Sequence, residues 1–190
     1  MERSGSHRRA AGFSLIEVLI ATAVFATALI AVAQMFVVAT KANSSARAST
    51  VASVLAQQKM EQLRSLTWGF DASGNILSDL QSNLAVTPPT ASGGPGLSAS
   101  PAGTLFQSTA GYADYLDASG NWVGTGTNPV AGTVYIRRWS VTPLPADPGN
   151  TLVLQVVVTR RLNRGGANAG AGTRLPDEAR MTSLRTRKYL

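Results

Sequence analysis

The chain of 190 residues has no cysteine and a single histidine, His7. Without cysteine there is no disulfide, no thiol nucleophile and no Cys/His zinc site, and beyond His7 there is no imidazole to act as a general base. Stability must therefore come from packing alone, even in a compartment that permits disulfides. Glycine and proline are also missing from a long stretch. The chain has 18 glycines and 9 prolines, yet none lies between Phe13 and Thr67, and the first proline is Pro88. No G-x-S-x-G elbow and no phosphate-binding glycine loop is present. Carboxylates are scarce, 10 Asp and Glu against 17 Lys and Arg. In the second half they stand singly, apart from Asp177-Glu178. These absences leave no catalytic constellation, no metal set and no cofactor motif, so an enzyme is not expected.

What is present begins with an apolar run from Phe13 to Ala39, in which only Ser14, Glu17, Thr22, Thr27 and Gln34 are polar. About 20 apolar residues suffice to span a bilayer, so this run is long enough. Arg8 and Arg9 precede it, and the positive-inside tendency places residues 1–12 in the cytoplasm and the rest across the membrane. Glu17 is the residue to explain, because an ionisable side chain in an apolar span is costly and marks a site that needs a partner. A secretory signal peptide is the competing reading, with Ala31-Val32-Ala33 as its cleavage site. Against it, the apolar run continues from Met35 to Ala39, and a carboxylate suits a signal-peptide core poorly.

The segment Gly12-Phe13-Ser14-Leu15-Ile16-Glu17-Val18-Leu19-Ile20-Ala21 behind a short basic leader resembles the type III signal of type IV prepilins and type II secretion pseudopilins. The resemblance implies that a prepilin peptidase cuts between Gly12 and Phe13 and methylates the new Phe13 amine. It also implies that Glu17 serves assembly with other pilins, meeting the Phe13 amine of a neighbouring subunit. Arg8 and Arg9 supply the leader charge. The absence of a proline in the apolar helix departs from many pilins. The implied location is the inner membrane, single-pass with the C-terminal head in the periplasm, and then the fibre or cell surface.

Residues 40–67 are rich in helix formers and continue the helix. Ala48, Val51, Ala52, Leu55, Ala56, Leu63 and Leu66 share one stripe, with Lys59 and Gln62 as flaws in it. Gly69 is the expected stop. The organisation is thus leader 1–12, transmembrane half-helix 13–39, amphipathic continuation 40–67 and a head over 68–190. Thr133–Val141 reads as a strand with Tyr135, Trp139 and Val141 on one face, and Leu152–Arg160 as its antiparallel partner with Leu152, Leu154, Val156 and Val158 inward. Met181–Thr186 is a weaker third strand. The expected class is α+β, a long N-terminal helix packed on a small antiparallel sheet, and the Tyr-x-Arg-x-Trp-x-Val strand resembles PilV-type minor pilins.

The tracts 87–103 and 163–172 are rich in Gly, Pro, Ser and Ala and read as mobile loops. Asp71-Ala72-Ser73-Gly74-Asn75 recurs as Asp117-Ala118-Ser119-Gly120-Asn121, a pattern that fits a tight turn better than a calcium loop. Basic residues crowd the end of the chain: Arg160, Arg161, Arg164, Arg174, Arg180, Arg185, Arg187 and Lys188. DNA is one partner such a patch suits, as in uptake pilins. Solvated edge protection is the plainer reading. A type II secretion pseudopilin and an ordinary periplasmic protein released after Ala33 complete the alternatives.

Overall fold

A computed structural model describes residues 12–161 and 178–189. One helix, α1 (Leu15–Ser65), is followed by eight strands: β1 (Trp68–Phe70), β2 (Ile76–Ser78), β3 (Ala113–Leu116), β4 (Trp122–Thr125), β5 (Tyr135–Pro143), β6 (Thr151–Arg160), β7 (Ala179–Thr186) and β8 (Lys188–Tyr189). The chain divides into two units at Ser44/Ser45.

In the first unit every described residue, from Gly12 to Ser44, is exposed. The uninterrupted apolar sequence supports the helix, and its threonines do not oppose it. Thr22, Thr27 and Thr40 return their hydroxyls to the carbonyls of Leu19, Val24 and Phe36 at 2.8–2.9 Å, which satisfies each polar group without a partner from elsewhere.

In the second unit the remaining helical turns bury Ala48, Ala52, Leu55, Ala56, Lys59, Met60 and Leu63. The steps of three and four form a single stripe, and small alanines within it let the helix approach a sheet closely. That sheet has five strands in the order β4-β3-β5-β6-β7, all antiparallel. The β5–β6 register pairs Trp139 with Val156 and Val141 with Leu154. Tyr135, Trp139 and Val141 accordingly join Leu152, Leu154, Val156 and Val158 in one core with the helix stripe. The three strands expected from sequence are present as a meander. A second sheet, β2-β1-β8, pairs β1 with β8 in parallel.

Gly69 does not stop the helix. It sits inside β1, opposite Leu77 and Lys188, while the helix ends at Ser65. That end is capped from the far end of the chain: the Arg185 guanidinium donates to the Leu63 carbonyl at 2.7 Å and to the Leu66 carbonyl. A cation there satisfies terminal carbonyls and complements the negative end of the helix dipole.

The tract 87–103 also differs from expectation. It has no regular strand, yet Gly94, Gly96 and Leu97 donate their N–H groups to Gln81, Ser82 and Asp79, and Leu97 is buried. A Cβ on Gly94 or Gly96 would come within 2.4–2.7 Å of neighbouring backbone, so glycine serves close approach here rather than freedom. The tract 163–172 lies outside the described residues.

Candidate processing and assembly site

Gly12, Phe13 and Glu17 stand at the start of the exposed helix. The Ser14 carbonyl accepts the Glu17 and Val18 N–H groups at 3.0 and 3.2 Å, which begins the helix there and puts Glu17 in its first turn. A carboxylate is favoured at that end by the helix dipole. Phe13 is 83% exposed. A Cβ at Gly12 would meet nothing within 4 Å, and the backbone there is not left-handed. The fold therefore places no demand for glycine at position 12. Arg8 and Arg9 lie outside the described residues.

From Leu15 onward the helix is long and apolar enough to cross a membrane, with a mean hydropathy of 2.5 in its most apolar 18-residue window and none of that window buried. Leu15, Ile16, Phe25, Met35 and Phe36 are all more than half exposed. An exposed apolar surface of this extent is not left to water in a soluble protein and marks a membrane or a protein partner.

A second polar constellation, unforeseen as such in the sequence, lies inside the head. Lys59 Nζ is 2.9 Å from Asp114 Oδ2. Arg137 grips the same carboxylate through both oxygens, at 2.9 and 2.8 Å. It also donates to the Leu55 carbonyl at 3.2 Å and the Gln58 amide oxygen at 3.1 Å. Lys59 completes its shell with the Leu84 carbonyl and lies 4.2 Å from the centre of the Trp139 ring. All three charged side chains are at most 1% exposed. Lys59 is thus no flaw in the helical stripe but the point where the helix is bonded to the sheet. The stripe itself signalled its burial, as strand alternation signalled that of Arg137, which shares a face with Tyr135 and Trp139. Asp114 had no such signal, because β3 is buried at all four positions and shows no alternation.

The arrangement is structural rather than catalytic. It offers no open face to a substrate, and every charge in it is held by another protein group. Burial pushes the Lys59 ammonium down from 10.5 to about 8, against the pull of Asp114. Between those values the unfolded chain binds more protons than the folded one, so stability should rise as pH climbs from about 8 towards 10. Unfolding of the full chain in detergent checks this, with the slope expected to flatten in Lys59→Met.

The repeated pentapeptides are turns. Asp71 Oδ1 accepts the Ser73 and Asn75 N–H groups and its Oδ2 accepts the Asn75 amide. Asp117 does the same with Ser119 and Asn121. Gly74 and Gly120 take φ of +81° and +83°, which explains glycine at that place. The Asn75 and Asn121 donors hold both carboxyls below their ordinary value, so their oxygens are already engaged by the turn.

The basic C-terminal residues are not simply a solvated edge. Arg185 caps the helix end. Arg187 stacks 3.5 Å over the Trp68 ring and bonds the Gly149 and Gly69 carbonyls and Ser78 Oγ at 2.7–3.3 Å. Arg180 pairs with Glu178. Arg185 and Arg187 thus spend donors on the fold, so reversing their charge would test folding as well as any phosphate binding. Arg164 and Arg174 lie outside the described residues.

Residues 7–33 match the family model described as the prokaryotic N-terminal methylation motif. No curated protein and no solved structure matches the chain. The matched residues include Gly12, Phe13 and Glu17, and the helix they open carries an antiparallel head on its second half. The chain bears a type IV pilin-like prepilin signal on an α+β pilin-like fold.

Proposed function

We propose that this protein is a structural subunit of a type IV pilus, a minor pilin of the PilV type. The observation that carries the reading is the methylation motif over residues 7–33, placed at the start of a helix whose first half buries nothing of its own. Arg8 and Arg9 keep the leader in the cytoplasm, and the helix parks the precursor in the inner membrane. Prepilin peptidase cleaves between Gly12 and Phe13, exposing an amine that it then methylates. In the fibre, apolar helices replace lipid around one another, Glu17 answers the Phe13 amine of a neighbour, and the head faces outward.

The carbonyl attacked is that of Gly12, where an added Cβ would meet nothing within 4 Å, which suits a protease that must reach the backbone, and the leaving group is the Phe13 amine. Phe13, the residue that becomes the new terminus, is equally open. The same signal and fibre logic would serve a type II secretion pseudopilin; the Tyr135–Val141 strand pattern supports the PilV-type assignment. Intact mass and N-terminal sequencing of chain recovered from membranes of cells containing a prepilin peptidase test the reading. The expected product starts at Phe13 and carries one added methyl group. A product starting at Gln34 would overturn the reading and discard Glu17 with a signal peptide.

A further inference from the structure

A groove of about 440 Å³ opens on the head between β1 and β2, the segment 97–99 and the β5–β6 connection. Its walls are largely apolar. Leu97 and Leu152 are buried beneath it, and Pro143 and Pro148 flank them. Ile76 and Leu80 line it as well and are 65% and 46% exposed, so the groove is open along that side. Apolar walls with a few polar groups, at this volume, are the make-up of a ligand site. Two of its polar side chains are Arg187 and Ser78. Arg187 spends Nε and Nη1 on the fold, but its Nη2 donates to nothing among the described residues. No carboxylate pairs with it there. Burial holds its guanidinium below the ordinary value, and no acid offsets that effect. Ser78 Oγ accepts from Arg187 at 2.7 Å, which leaves the hydroxyl proton free to donate.

We infer that this groove binds the free carboxyl end of a polypeptide whose last residues are branched and apolar. The unspent groups of Arg187 and Ser78 are all donors, the N–H groups of Nη2 and one O–H, so they call for an acceptor that carries negative charge. A carboxylate matches the one guanidinium in charge and offers an oxygen to each side chain. A phosphate monoester brings more charge and a third oxygen, which these donors do not meet. The apolar walls take Leu, Ile or Val side chains out of water. The open side at Ile76 and Leu80 lets the rest of a chain leave the groove, a feature that a free small acid does not need. Capture of a terminal carboxylate is a recurring mode of peptide recognition. The inference depends on the head alone and not on cleavage after Gly12.

The test reconstitutes the purified full chain into phosphatidylcholine nanodiscs and follows the anisotropy of a fluorophore-labelled Gly-Gly-Leu-Leu peptide. The peptide acid should bind saturably. The same peptide ending in a carboxamide should bind about ten- to a hundredfold more weakly, because it lacks the charge that the guanidinium answers. That comparison needs no variant and so no change to the fold. Leu80→Glu and Ile76→Glu place a carboxylate at the exposed lip of the groove, and each should weaken the peptide acid at least about tenfold by like-charge repulsion. Both positions are solvent-facing, so the variants should melt with the parent, which thermal unfolding checks alongside. Equal binding of acid and amide, no saturable binding of the acid, or unchanged binding in both folded glutamate variants would overturn the assignment. Displacement of the peptide by octanoate at equal concentration would overturn the chain-end reading in favour of a free apolar acid.

Discussion

Replacing Asp114 with asparagine is expected to unfold the head under conditions where the parent chain stays folded. Asp114 is the anion between Lys59 and Arg137, with both cations within 3 Å of it, and none of the three reaches solvent. Removing the carboxylate leaves two like charges buried side by side, a change that costs about 3–5 kcal/mol in comparable buried pairs. Total stabilities of single domains are about 5–15 kcal/mol, so a loss of that size consumes a large share of the margin. Thermal or denaturant unfolding of the purified full chain in detergent measures it. A second variant separates the role of the charges from that of their shape. Lys59→Met, Asp114→Leu and Arg137→Met together remove every charge while keeping volume, and a buried ion network replaced in this way is often neutral or even stabilising. The triple variant should therefore melt well above Asp114→Asn. An Asp114→Asn chain that melts with the parent would show that the network does not hold the helix to the sheet.

Glu17→Val should leave the helix, its insertion and its cleavage intact while removing the chain from assembled fibres. Nothing in the fold depends on this side chain: Glu17 is exposed, and the first helical turn is held by the Ser14 carbonyl. After cleavage, however, the Phe13 amine would be carried into an apolar bundle. There it needs an opposite charge, and leaving one member of a buried pair unmatched costs several kcal/mol. At 1.4 kcal/mol per tenfold, incorporation per subunit should fall at least about 100-fold. Quantitative immunoblotting of sheared fibres against membrane fractions measures the drop, with the N-terminus of the membrane pool sequenced alongside. Wild-type incorporation of Glu17→Val would sink the charge-pairing account while leaving the prepilin signal in place.

The two halves of the chain differed in how openly they declared themselves. The N-terminal half was legible in sequence because its determinants are local. An apolar run without glycine or proline must be a helix, and a carboxylate beside an aromatic behind a basic leader is conspicuous against it. The meander β5–β6–β7 was legible for a related reason, since alternation marks a strand with one buried face. Short strands gave no such mark. β1 and β2 have three residues each, too few to show a period, and they form because the turn at Asp71 folds them together.

By itself, then, the sequence determined the elements whose signal lies within a few residues: the long helix, its exposed apolar half, the N-terminal methylation motif, the two Asp-x-x-Gly turns and the inward faces of β5 and β6. Only the tertiary structure decided where the buried charges find their counterparts and what caps the end of the helix. Lys59, Asp114 and Arg137 are far apart in the chain, and no window of sequence contains more than one of them. The end of the helix at Ser65 is capped by Arg185, 122 positions beyond Leu63, which reaches back to the Leu63 carbonyl. Hydrophobic periodicity is written along the chain, whereas the pairing of buried charges and the capping of a distant helix exist only once the chain has folded.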